Sequence, residues 1–200
     1  MPLKTRSILA AAVLFASLNA PAAMAAADPA VTRAETFCQS MIEAVRQSNG
    51  KARLRAAKLT SVVEESLNTR VMAQFVTGAA WERMSEAERT AVIGALTRYS
   101  AARLAQEFDS FTGQSCAVDA AVQTRGVDKL VKSRILQPGE APAALNYRIR
   151  EYGAAWKIVD IYYDGVSQLA TERADFAAVL RSGGPAALVR RLDEVSALAR

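Results

Sequence analysis

Asp160 has the clearest potential for acid–base chemistry, because it lies in an apolar segment shortly before two tyrosines, Tyr162 and Tyr163. Burial raises the pKa of a carboxyl group, and a carboxylate beside a phenol can move a proton next to a carbonyl. The alternative is a structural role, in which Asp160 is hydrogen-bonded to the backbone or to an arginine. The sequence leaves both roles open and favours the structural one.

The composition excludes most other catalytic machinery. The chain contains no histidine, which removes the usual general base, the Ser-His and Cys-His pairs and the commonest metal ligand. The two cysteines are far apart in the sequence and form no zinc motif. There is no glycine-rich phosphate loop, and the aromatic residues are not interleaved with basic ones. We therefore expect no metal, no cofactor and no nucleic-acid partner.

The first 25 residues have the three parts of a secretory signal peptide. Lys4 and Arg6 are positively charged, residues 8–18 form an apolar run, and small residues around Ala25 offer a cleavage site. A membrane anchor would need a longer apolar run. We expect residues 1–25 to be removed and residues 26–200 to form one domain. Loss of two positive charges lowers the formal charge from +5 to +3, which does not indicate nucleic-acid binding.

Export also makes the two cysteines, Cys38 and Cys116, candidates for a disulfide bond, since oxidising compartments allow such bonds to persist. A bridge that closes a loop of this length stabilises a fold by about 4 kcal/mol in the chain-entropy model. Two buried free thiols are the alternative, because the sequence gives no distance between the two residues.

Periodicity predicts helices in the first half of the chain and strands in the second. Helices are predicted over residues 32–48, 52–67, 68–78 and 85–108. Strands are predicted over residues 116–124, 129–137, 144–152 and 155–164. A further helix is predicted over residues 167–181, ended by Gly183 and Gly184 and followed by a terminal helix from Pro185. Short connections favour an antiparallel meander, so we expect an α+β fold with the helices on one face of a four-stranded sheet.

The last predicted strand is apolar on both faces, unlike the strand before it. A period of two divides its residues into one face with Val159, Ile161 and Tyr163 and another with Trp156, Ile158 and Tyr162. One face can pack against the helices. The other is either covered by neighbouring loops and the C-terminal helix, or it borders an enclosed apolar space.

A basic cluster lies at the start of the second predicted helix and consists of Lys51, Arg53, Arg55 and Lys58. Charged residues on a helix usually indicate only a solvated face. The functional alternative is contact with anionic headgroups or an acidic partner, with about 1 kcal/mol per residue near a membrane surface.

Two long segments carry motifs at fixed spacing. The first has Asn68, Met72, Val76, Gly78 and Trp81, and the second is "LNYRIREYGAAWKIVDIYYDGVSQLATERADFAAVLRSGG". Together they resemble the signatures of the MlaC (toluene-tolerance) family over most of the chain after the leader. The segments "FDSFTGQ", "RGVDKLVKSRILQPGEAP" and "VSQLATERADFAAVLRSGGPAAL" are most similar to its hopanoid-associated HpnM branch.

The resemblance implies a non-enzymatic lipid carrier of the periplasm, which we expect to be a monomer. Its NTF2/cystatin-like fold would enclose an apolar pocket between helices and a curved sheet. The cargo would be a phospholipid or a hopanoid, moved between inner and outer membranes in cooperation with membrane transport complexes. The residues expected to line the pocket are Met72, Phe75, Val76, Trp81, Ile93, Leu96, Tyr99, Tyr147, Trp156, Val159, Ile161, Tyr163, Val166 and Leu169.

Two other functions are compatible with the sequence. A small α+β enzyme would use Asp160 as base and Tyr162 or Tyr163 as proton donor on an apolar substrate. A binding adaptor with a filled core would recognise a membrane complex through the basic cluster. The carrier interpretation requires a cavity for hydrocarbon beside the last strand, and solid packing there would count against it.

Overall fold

The computed structural model describes residues 27–197, so the predicted signal peptide lies outside the described residues. The first elements are α1 (Pro29–Gln47), α2 (Ala52–Ser66), α3 (Thr69–Thr77), a 3₁₀ helix (Gly78–Arg83) and α4 (Glu86–Glu107). The strands that follow are β1 (Ser115–Arg125), β2 (Asp128–Leu136), β3 (Ala143–Tyr152), β4 (Ala155–Tyr163) and β5 (Val166–Ser167). The long helix α5 (Gln168–Ala197) ends the described chain. The α+β class is confirmed.

The sheet is an antiparallel meander in the order β1-β2-β3-β4-β5. The prediction of four strands was wrong, because the segment after β4 folds back to form a fifth. Asp164 and Gly165 both have positive φ, at 47° and 85°, which reverses the chain within two residues. Val166 and Ser167 then pair with Tyr163 and Tyr162. A strand of two residues is too short for its alternation to be read from sequence.

Helix α5 consists of two helical segments that meet at Gly184, as the sequence predicts. Gly184 has φ 64° and ψ −165°, which no residue inside an α-helix adopts, and Pro185 follows it. The predicted break is therefore confirmed, and Pro185 stands at the start of the second segment, where a helix tolerates proline. Beyond Gly184, Leu188 and Leu192 are fully buried and pack this half of α5 into the core. Arg98 of α4 adds a surface ion pair of 2.7 Å with Asp193. None of the described helices is both long and apolar enough to cross a lipid bilayer.

Helices cover one face of the sheet and form the core with it. Phe37 of α1 packs edge to face against Tyr147 of β3, with ring centroids 5.5 Å apart. Cys38, the next residue of α1, forms a disulfide with Cys116 of β1, and their Cα atoms are 6.3 Å apart. Of the two states that the sequence left open for the cysteines, the structure has the bond. It ties the first helix to the outermost strand of the sheet.

We expect removal of the disulfide to lower the free energy of unfolding by about 2–4 kcal/mol, because the unfolded chain would lose a crosslink across 78 residues. The variant is Cys38→Ala with Cys116→Ala, which leaves no buried polar group. Urea unfolding of the variant and of the reduced wild type should give the same lowered midpoint. A midpoint equal to that of the oxidised protein would contradict this prediction.

Candidate functional site

A β-bulge explains why β4 is apolar on both of its nominal faces. Tyr147 pairs with Ile161 and Ile149 pairs with Ile158, so β4 has one residue more than β3 between the two pairs. Residues opposite each other in an antiparallel pair share a face, and an extra residue moves everything beyond it to the other side. Ile158 and Ile161 therefore both face the core, where they are buried. The sequence-based division of β4 by strict alternation was wrong for this reason.

Asp160 lies at this bulge and joins β4 to the start of α5. Its carboxylate accepts hydrogen bonds from the Ser167 hydroxyl at 2.6 Å and from the Leu169 amide at 3.1 Å. The Ser167 Oγ in turn accepts from the Ala170 amide at 3.0 Å, as expected of a helix N-cap. The Arg148 guanidinium lies 3.9 Å from Oδ2, the same carboxylate oxygen that accepts from Ser167. Asp160 is only 2% exposed, so these contacts account for its burial without a catalytic role.

A small cavity lies between β4, α4 and α5. Its volume is about 40 Å³, which is space for roughly two or three water molecules. The lining residues are Leu67, Met72, Ser100, Arg103, Leu104, Glu107, Asp160, Ile161, Tyr163, Gln168, Leu169 and Glu172. An acyl chain does not fit into this volume.

The inner end of the cavity, which we define by the buried residues Ser100 and Glu172, is polar. Glu172 is 9% exposed, and its Oε2 has no hydrogen-bond partner among residues 27–197. Burial raises the pKa of Glu172 to about 8, the charge of Asp160 adds to the rise, and Arg103 opposes it. The Ser100 hydroxyl is also buried without a partner in the described part of the chain. At neutral pH the Glu172 carboxyl is therefore protonated and can both donate and accept a hydrogen bond.

A wider depression adjoins this cavity. It has a volume of about 300 Å³ and shares Glu107 and Tyr163 with the cavity. Its apolar residues are Phe108, Ile135, Ala141, Ala143, Ala144 and Leu145. Tyr163 lines both spaces, so a rotation of its side chain would change the boundary between them.

The residues expected to form one deep pocket are distributed over several places. Met72, Ile161, Tyr163 and Leu169 line the small cavity, and Val76 lines a separate groove beside Arg173. The buried or partly buried members of the set that pack in the core are Trp81, Ile93, Leu96, Tyr99, Tyr147, Trp156 and Val159. Phe75 and Val166 are 37% and 58% exposed. The space beside β4 is closed by direct packing. The described residues therefore do not form a pocket wide enough for hydrocarbon there.

Sequence reasoning missed Ser100, Arg103 and Glu172. A signal for Glu172 was present, because it follows Leu169 by three residues and precedes Phe176 by four. That spacing places all three on one side of a helix, and both apolar neighbours are buried. A glutamate on the apolar side of an amphipathic helix has to be buried with its helix.

The basic cluster is not one continuous surface. Arg55 is buried, and its Nε donates a 3.0 Å hydrogen bond to the Ala105 carbonyl near the end of α4. Its role is thus to join α2 to α4, since the last carbonyls of a helix lack partners within it. Lys58 donates to Gln47 Oε1 at 2.7 Å. Of the four residues, only Lys51 and Arg53 are exposed.

Comparisons with known proteins identify one family and one fold. The family model described as MlaC protein matches residues 35–194. A similar solved structure is that of the phospholipid-binding protein from Ralstonia solanacearum in complex with a phospholipid. The two chains are 21% identical, the match covers 86% of this chain and 99% of that one, and the TM-score is 0.73.

Replacement of Asp160 by asparagine should lower the free energy of unfolding by about 1–3 kcal/mol. The amide keeps one acceptor oxygen for Leu169 but loses the charge and the acceptor that faces the Ser167 hydroxyl. Urea unfolding measures the loss, with Asp175→Asn on the exposed side of α5 as the control. Equal midpoints for the two variants would show that the Asp160 contacts do not hold β4 to α5.

The stability of the protein should fall as the pH rises through about 8, because the folded chain holds the Glu172 proton more tightly than the unfolded chain. This contribution is fully present below the ordinary glutamate pKa and amounts to about 1.4 kcal/mol per unit of difference between folded and unfolded pKa. Unfolding by urea at several pH values should show the decline in the wild type and a flatter profile in Glu172→Gln. Glu107→Gln at the exposed rim of the cavity is the control. Identical pH profiles of the wild type and Glu172→Gln would contradict this prediction.

Proposed function

The chain belongs to the MlaC family, and we propose that it is a lipid carrier that shields the tails of its cargo from water. The observation that carries this proposal is the phospholipid bound by the Ralstonia protein, whose fold this chain shares. A diacyl lipid presents roughly thirty methylenes, each costing about 0.8 kcal/mol when exposed to water. A protein that moves such a molecule through an aqueous space has to cover most of them.

The closed space beside β4 is where we place the lipid. Sites for molecules of this size occupy about 300–1,000 Å³, and the cavity with its adjoining depression is the place where apolar residues of the sheet and two helices meet. Entry of hydrocarbon requires Tyr163 and Leu169 to move apart from α4, which would join the cavity to the depression. In the closed form of this space, the apolar lining packs against itself.

We place this activity in the periplasm, where the leader sequence would direct the chain. The cargo is a phospholipid or, as the similarity to the HpnM branch suggests, a hopanoid-type lipid. Transfer between inner and outer membranes would involve transport complexes in both, and Lys51 and Arg53 are exposed residues available for contact with acidic surfaces.

An enzymatic function has less support. Asp160 would be the base, yet its oxygens accept from Ser167 and Leu169 and hold the first turn of α5. A base committed to these contacts would disturb the helix start whenever it took up a proton. Tyr162 and Tyr163 are weaker proton donors than an ordinary tyrosine, because burial raises the pKa of both phenols.

Purification from the native host under mild conditions, followed by solvent extraction and mass spectrometry, should recover about one lipid per chain. Leu169→Phe should reduce the recovered amount, because the added ring volume over-fills the cavity at a cost of about 1–3 kcal/mol when lipid must also enter. That corresponds to a loss of affinity of roughly five- to 150-fold.

Leu180→Phe is the matched control, since it makes the same change on the same helix in the separate groove beside Val76. It should retain the lipid content of the wild type. Repeated recovery of no lipid from the wild type would contradict the carrier function, and equal lipid content in both variants would contradict the location of the site.

A further inference from the structure

The inner end of the cavity contains hydrogen-bonding groups that a carrier of hydrocarbon does not need. Glu172 Oε2 and Ser100 Oγ are both buried and both lack a partner among the described residues. Both residues line the same cavity as Asp160. Buried polar atoms are almost always paired, and an unpaired one costs free energy that a leucine at the same position would not. Two residues that line one small space and each have an unpaired polar atom indicate a polar group that they bind.

We propose that Glu172 and Ser100 form a binding site for a neutral hydroxyl group of the carried lipid. The inference rests on the carrier function and specifies the chemistry of its cargo. A hydroxyl can donate to the Glu172 carbonyl oxygen and accept from the Ser100 hydroxyl, which satisfies both groups at once. The volume of about 40 Å³ admits a hydroxymethyl group in the closed form, before any hydrocarbon enters.

The inner end of the cavity disfavours an anionic occupant. A phosphate or carboxylate there would lose its hydration beside the neutral Glu172 carboxyl and the Asp160 carboxylate, neither of which can compensate a negative charge. Arg103 lines the cavity but is exposed, so an anionic group of the cargo would be placed at the mouth. This arrangement orients the lipid with its anionic part outward.

A cationic occupant is disfavoured for a different reason. Asp160 already has the Arg148 guanidinium at 3.9 Å and two hydrogen-bond donors, so little of its charge remains uncompensated. Glu172 is neutral at pH 7 because burial raises its pKa. An ammonium group would therefore lose its hydration without gaining an ion pair.

The hydrocarbon of the same molecule has a route toward the depression next to the cavity. Tyr163 and Glu107 line both spaces, and the depression contributes Phe108, Ile135 and Leu145. A lipid with its hydroxyl at Glu172 and its chain passing Tyr163 would occupy both. The hydroxyl site would then fix the depth to which the chain enters.

Three probes of equal chain length test the assignment: dodecanol, dodecyl methyl ether and dodecylamine. Each is titrated against the purified protein carrying a fluorescent fatty-chain reporter, and displacement gives the affinity. The wild type should bind dodecanol roughly five- to tenfold more tightly than the ether, which cannot donate a hydrogen bond. Dodecylamine at neutral pH should bind no more tightly than the ether.

Variants of the cavity distinguish the site from general hydrophobic binding. Glu172→Leu should bind alcohol and ether equally, Ser100→Ala should reduce the preference, and Glu172→Gln, whose amide donates and accepts, should retain it. Glu172→Leu replaces a buried polar group with an apolar one of similar length, so it is expected to fold, and urea unfolding checks this. Asp175→Leu on the exposed side of α5 is the control and should keep the preference of the wild type.

Each other outcome has a definite meaning. Equal affinity of the wild type for alcohol and ether would overturn the hydroxyl site and leave the carrier function in place. Tightest binding of the amine would overturn it in favour of an ammonium site. Failure of all three probes to displace a bound reporter would overturn the hydroxyl site alone. Failure of the reporter itself to bind would overturn both the site and the carrier function.

Discussion

The carboxylate of Asp160 holds β4 to the first turn of α5, and the position of the candidate site depends on this contact. The bulge in β4 brings Asp160 to the end of the helix, where it accepts from Ser167 and Leu169. The helix start then fixes the direction of its side chains, so that Leu169 and Glu172 face α4 and the sheet. Without this connection, the same helix could lie at another angle and the cavity would not form between these elements.

Most elements of the fold could be predicted from periodicity and turn chemistry, because each depends on residues close in sequence. The features that could not be predicted depend on contact with a second segment of the chain. The bulge at Asp160 exists only relative to the register of β3, and β5 needs Tyr162 and Tyr163 to pair with. Arg55 was predicted to lie on the surface, but it is buried against Ala105, which is fifty residues further along the chain. The site combines α4, β4 and α5, which sequence patterns do not bring together.

A lipid carrier has to be stable in water both with and without its cargo. An open apolar pocket would cost about 25 cal/mol for each Å² of exposed lining, and closure by direct packing removes that cost. In the proposed carrier, Leu169, Ile161 and Tyr163 provide the apolar contacts of the closed form, and Glu172 and Ser100 interrupt them. The unpaired polar atoms make the closed state less stable than a fully apolar one would be. A ligand that forms hydrogen bonds with these polar atoms therefore favours opening of the space beside β4.

A crystal structure of the chain loaded with its extracted lipid tests the central claim most directly, which is that hydrocarbon enters between β4, α4 and α5. The account predicts continuous density for a chain beside Ile161, with Tyr163 displaced and Leu169 moved away from α4. The Asp160 contacts with Ser167 should persist, since the helix start is the fixed point. Lipid bound elsewhere, with the small cavity unchanged from the closed form, would contradict the account.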